Sequence, residues 1–137
     1  MTSTVLYTED LRTYCTHQQS GSAIETDAPV DNNGNGARFS PTDLLATSLA
    51  ACMVTVMGIK ARTMGFDLNE IKVEVQKNMK PEPRRVGGID LTFHIPESLQ
   101  QVDEKAKTIL KNTALTCPVA KSLHPDLEVN IDWGSWN

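Results

Sequence analysis

The stretch SPTDLLATSLAACMVTVMGIKART, residues 40–63, decides the fold. Ser40 is a good N-cap. Pro41 stands at the first helical position, where its missing N–H is harmless, and Asp43 falls in the first turn beside the positive end of the helix dipole. The spacing predicts a helix from Pro41 to about Thr63, with Gly65 as its C-terminal stop. Leu44, Leu45, Leu49, Cys52, Met53, Val56, Met57 and Ile59 cover most of its circumference, and Ala46, Ala50 and Ala51 fill much of the remainder. A helix apolar nearly all round is expected to be buried, here as the central element of the fold.

On the N-terminal side, TVLYT (4–8), RTYCTH (12–17) and SAIET (22–26) are short, rich in β-branched and aromatic residues, and separated by polar or glycine turns. They predict a strand meander. DAPVDNNGNGAR (27–38), dense in Asn, Gly and Asp, is a loop leading into the helix. On the C-terminal side, EIKVEVQKNMK (70–80) alternates, with Ile71, Val73 and Val75 on one face. PEPRRVGG (81–88) predicts a turn, and GIDLTFHIP (88–96) alternates again with Ile89, Leu91, Phe93 and Ile95 inward. Residues 98–114 have helical spacing at Leu99, Val102, Ala106, Ile109 and Leu110. Cys117-Pro118-Val119 opens a short helical turn ending near Leu123, and LEVNIDW (127–133) is a last strand. Strands, helix, strands, helix, strand describe an α+β domain with a largely antiparallel sheet.

A chain of 137 residues suits one domain, 1–137, with no internal repeat or linker. Hydrophobic residues at 39% and charged ones at 22% are ordinary for a globular protein. A formal charge of −4 gives no basic surface for nucleic acid or acidic lipid. No apolar run reaches the ~18 residues of a membrane span without charged or small polar breaks. MTSTVLYTEDLR has no basic start followed by an apolar stretch, so the expected location is the cytoplasm.

The chemistry narrows to thiols. Cys15, Cys52 and Cys117 are an odd number without a CxxC pair, which argues against a permanent disulfide framework and leaves a transient bridge open. Cys52 has two readings: a small core residue, or a reactive sulfur. Apolar surroundings disfavour the thiolate, so a reactive Cys52 needs a cation or donor from another segment. Cys117 stands beside Pro118 at a helix start, where backbone N–H groups favour a thiolate, or is a cysteine at the edge of the core. Cys15 and His17 share a strand face, but C-x-H without a second ligand pair is a weak signal for zinc. His94 and His124 read as a strand and a loop residue. No phosphate loop follows a strand, and Ser40 and Ser48 have no base and acid to make a triad.

SPTDLLATSLAAC (40–52) followed by CPVAKSLHPDLEV (117–129) resembles the OsmC/Ohr family of osmotically inducible and organic-hydroperoxide-resistance proteins. The first segment is similar to the family's central helix, with its reactive cysteine, and the second to its C-terminal helix with the partner cysteine. The resemblance spans essentially the whole chain. It implies an OsmC-like fold and an intertwined homodimer with active sites at the subunit interface. It further implies a peroxidatic Cys52, a resolving Cys117, an organic hydroperoxide as substrate and an external thiol as reductant, lipoyl or small, with no bound cofactor and no metal. Where well-characterised branches carry a glutamate ten positions before the peroxidatic cysteine, this chain has Thr42, and the acid is Asp43. The arginine that holds the thiolate in those branches has two candidates, Arg38 first and Arg12 second. A second function from another class is a protein that keeps the fold and its apolar interfacial pocket but binds a small ligand without turnover.

Overall fold

The computed structural model describes all residues, Met1–Asn137. Its elements are β1 (Ser3–Tyr7), β2 (Arg12–His17), β3 (Ala23–Asp27), α1 (Pro41–Thr63), β4 (Lys72–Lys80), β5 (Arg85–His94), α2 (Glu104–Leu115), α3 (Pro118–Ser122) and β6 (Glu128–Asp132). Short 3-10 turns occupy Val30–Asn32, Glu97–Leu99 and Gly134–Trp136. The chain falls into two compact units, residues 1–45 and 46–137, so the division lies inside α1.

In the first unit β1, β2 and β3 form the expected antiparallel meander, with Cys15 opposite both Val5 and Ile24. No residue of β1 is buried, and Val5, Leu6, Tyr7, Tyr14 and Ile24 are exposed. Burial is instead concentrated on polar groups at the far end of β3: Thr26, Asp27 and Ser40. The Asp27 carboxylate accepts from Arg12 through Nε at 2.7 Å and Nη2 at 2.9 Å, and from the Ala37 N–H at 3.1 Å. The Asp27 N–H in turn donates to the Phe39 carbonyl at 3.1 Å. Both ends of the 28–38 loop are thereby tied to one side chain. Inside the loop Gly34 is required by space, since a Cβ there would lie 1.7 Å from the Ala28 carbonyl oxygen.

The start of α1 is a reciprocal capping box. The Asp43 N–H donates to Ser40 Oγ at 3.0 Å, and the Ser40 N–H donates to Asp43 Oδ2 at 2.9 Å. At the other end Gly65 has φ +90°, and the Phe66 N–H donates to the Ala61 carbonyl at 3.2 Å. That six-residue closure through a left-handed glycine is a Schellman stop, at the position the sequence predicts.

In the second unit α1 buries one stripe, Ala46, Leu49, Ala50, Met53, Met57 and Ala61. These pack with Ile89, Leu91 and Phe93 of β5, Leu110 and Ala114 of α2, and Cys117 and Trp136. The expected burial all round is not what the single chain shows. Ile59 is 61% exposed, Leu45 is 39% exposed, and Ala51 and Thr55 also face outward. The physical reason is that one chain supplies elements enough to cover one side of a 23-residue helix only. By length and composition α1 could also cross a membrane, but its stripe is the core of this unit.

The sheet of this unit has the order β4-β5-β6. β4 and β5 are antiparallel, with Ile71, Val73 and Val75 and then Ile89, Leu91 and Phe93 turned inward as their alternation predicts. A register shift lies at Asn78/Met79. Two differences from the expectation stand out. There are two three-stranded sheets, and β6 runs parallel to β5 because the connection passes through α2 and α3. α2 begins at Glu104, not near residue 98, because Asp103 caps it by accepting from the Ala106 N–H at 2.9 Å. Leu99 keeps the helical phase but belongs to a 3-10 turn. β5 likewise starts at Arg85, inside the stretch expected to turn. The Trp133 ring stacks at a tilt on Phe93 with centroids 4.5 Å apart, and the buried Trp136 indole donates to the Leu99 carbonyl at 3.3 Å.

Candidate functional site

Cys52 sits in the middle of α1, between the buried Leu49 and Met53, and is itself half-buried against the core. Helical spacing places it at the flank of the buried stripe, so its sulfur meets both core and open surface. Cys117 is 1% exposed. It is the junction of two helices: its N–H donates to the Ala114 carbonyl at the end of α2 at 3.2 Å, and its carbonyl accepts from the Lys121 N–H at 3.1 Å. Its sulfur caps α3, accepting from the Ala120 N–H at 3.3 Å. Pro118 follows at the first position of that helix, where a proline is pre-organised.

The fold brings these two thiols together from positions 52 and 117. Cys117 belongs to the core cluster and Cys52 packs against it, near enough to influence the Cys117 proton; both are free thiols. Burial pushes the Cys117 thiol up, and its interaction with Cys52 pushes the same way, against the lowering effect of the Ala120 and Val119 N–H groups. The expectation that a helix start favours a Cys117 thiolate is thus reversed: desolvation outweighs two amide donors. The half-open thiol is Cys52 and the enclosed, proton-retaining one is Cys117.

The remaining named residues lie in the first unit. Arg38 pairs with Glu25 (Nε to Oε2, 2.9 Å) and donates through Nη1 to the Ala37 carbonyl at 3.0 Å. Arg12 is held by the buried Asp27, whose carboxyl is lowered from its ordinary value, chiefly through the hydrogen bond from Arg12. Asp43 forms the capping box, and Thr42 Oγ1 lies 3.1 Å from Ser40 Oγ. Cys15 meets Thr13 Oγ1 at 3.6 Å, while His17 Nδ1 pairs with Ser20 Oγ at 2.7 Å. Asp27 is the residue that sequence reasoning missed. Its only signal was an acid at the junction of a predicted strand and a loop, which reads as ordinary turn chemistry.

Comparison with known proteins shows the family and the fold. The family profile described as OsmC-like protein matches residues 34–132. A crystal structure from Psychrobacter arcticus 273-4, named as a candidate osmotic stress induced and detoxification response protein, is 52% identical. It superposes with a TM-score of 0.90 over 96% of this chain and 94% of that one. An organic hydroperoxide resistance protein OsmC from Legionella pneumophila shares the fold at 16% identity, TM-score 0.71, with 96% of each chain covered. So does an OsmC-like protein of unknown function from Vibrio cholerae O1 biovar eltor str. N16961, at 14% identity and TM-score 0.70, over 94% and 96%. Among curated protein sequences none matches the chain. A profile match over most of the chain and a structure 52% identical to it define one class: the protein belongs to the OsmC/Ohr family.

Proposed function

We propose that the protein is a thiol-dependent peroxidase that reduces organic hydroperoxides in the cytoplasm, working as a homodimer. One observation supports this proposal: two cysteines remote in sequence come to the same core cluster, one half-open and one enclosed. A ligand pocket requires neither thiol, whereas a sulfenic acid requires a second thiol to resolve it. The Cys52 thiolate attacks the terminal peroxide oxygen. The S–O bond forms as the O–O bond breaks, and the alkoxide leaves and takes a proton as alcohol. The Cys117 sulfur then attacks the sulfenic sulfur of Cys52, giving a disulfide and releasing the oxygen as water. An external dithiol, lipoyl or a small thiol, returns two electrons and two protons. The chain itself supplies the redox centre, with no bound cofactor.

In this proposal Arg38 holds the Cys52 thiolate, Arg12 being the alternative, and Asp43 orients the guanidinium. The same two arginines motivate a second function, a non-catalytic stress protein that binds a small ligand in an apolar pocket. Arg38 is paired to Glu25 and Arg12 to Asp27, so each cation already has a carboxylate partner. Peroxide consumption separates the two functions. Cumene hydroperoxide and hydrogen peroxide are compared with dihydrolipoyl and simple monothiol reductants. Turnover on the organic peroxide, abolished by Cys52→Ser, is expected; no turnover with any reductant establishes the binding function instead.

A further inference from the structure

We propose that closing the Cys52–Cys117 bridge uncaps α3, and that the loosened segment opens the bridge to its reductant. This rests on Cys52 and Cys117 being the redox pair. Cys117 is 1% exposed, so in a disulfide formed in place its sulfur is shielded from an external thiol, while Cys52 stays half-open. The shield includes α3 itself, five residues with no buried member, whose Val119 and Ala120 pack only partly against the core. A helix that short has little stability of its own. Its side-chain cap is the hydrogen bond that Cys117 Sγ accepts from the Ala120 N–H. The cap depends on the sulfur facing that N–H at 3.3 Å. A sulfur drawn into a bond with Cys52 loses the orientation that serves the cap.

The cycle then has a structural half. Hydroperoxide converts the pair to a disulfide, with alcohol and water as products. The cap is lost, residues 118–122 fray, and Cys117 Sγ becomes open to attack. A thiolate of the dithiol reductant forms a mixed disulfide at Cys117 and expels the Cys52 thiolate. The second thiol of the reductant then displaces Cys117, leaving an oxidised reductant and two reduced cysteines, and the cap re-forms.

Amide hydrogen exchange of the full-length protein tests this. The bridge is closed in one sample with cumene hydroperoxide and in another with diamide, and is verified by peptide mapping. The second sample keeps the structural question separate from peroxide chemistry. Exchange across 118–122 is expected to accelerate roughly fivefold to tenfold in the bridged protein, the loss of one helix cap, while α2 (104–115) holds its rate. Cys117→Ala is expected to give the fast rate without oxidant. Cys117→Ser, which restores a hydroxyl cap and cannot bridge, is expected to stay slow with or without oxidant. A verified bridge with unchanged exchange overturns the proposal, as does a Cys117→Ala rate equal to wild type, or failure of diamide to form the bridge. A bridge that forms with diamide but not with hydroperoxide, and frays α3, supports the uncapping and overturns the peroxidase.

Discussion

The environment of each thiol differs in a way that a titration reads. Because burial raises the Cys117 thiol, the native state holds that proton more tightly than the unfolded chain does. Below the unfolded thiol value of about 8.5 both states are protonated and the stability is fully present. As pH climbs past that value the unfolded chain releases its proton first, and stability falls until the folded thiol also titrates. Urea midpoints of the reduced protein are therefore expected to drop as pH rises above about 8.5, and Cys117→Ser is expected to flatten that drop. Arg38→Ala tests the proposed activation: loss of the cation is expected to slow Cys52 alkylation at neutral pH roughly tenfold. Asp43→Asn is expected to do less. If neither substitution slows alkylation, the cation is Arg12 or Cys52 is not activated. The two cysteines were legible as suspects because each sits in a recognisable helical context. The Arg12–Asp27 pair was not, since no local pattern links the start of one strand to the end of another fifteen residues on.

Among the elements, α1 shows both what sequence pattern carries and where it stops. Its caps are local chemistry, Ser40 and Asp43 at one end and Gly65 at the other, and local chemistry is readable. Which side of an all-apolar helix meets its own chain is a question of tertiary supply, and no periodicity answers it. The parallel β6 was illegible for a similar reason, because alternation fixes a strand's faces and not its direction. Two substitutions probe these elements. Met57→Ala, on the buried stripe, is expected to destabilise the protein by about 2–5 kcal/mol in chemical denaturation. Asp103→Ala, which removes the cap of α2, is expected to cost about 1 kcal/mol. A Met57→Ala effect below that of the cap would mean the stripe is not the centre of the core.

For the whole molecule, exposed apolar surface is the feature that asks for a partner. Ile59 and Leu45 on α1, and Val5, Leu6 and Tyr7 on β1, are exposed apolar side chains that a partner subunit would cover. We expect sedimentation at micromolar concentration to show a dimer, with a thermal midpoint that rises with protein concentration. A stable folded monomer under those conditions overturns the homodimer.

The chromophores are partitioned between the two units. Both tryptophans, Trp133 and Trp136, lie in residues 46–137, and both tyrosines, Tyr7 and Tyr14, lie in residues 1–45. Indole emission therefore reports the core around Phe93, while tyrosine absorbance reports the meander. Following one melt in both channels measures cooperativity between the units directly. Coincident curves make them one thermodynamic unit, and a tyrosine transition at lower temperature makes the meander a separately melting module.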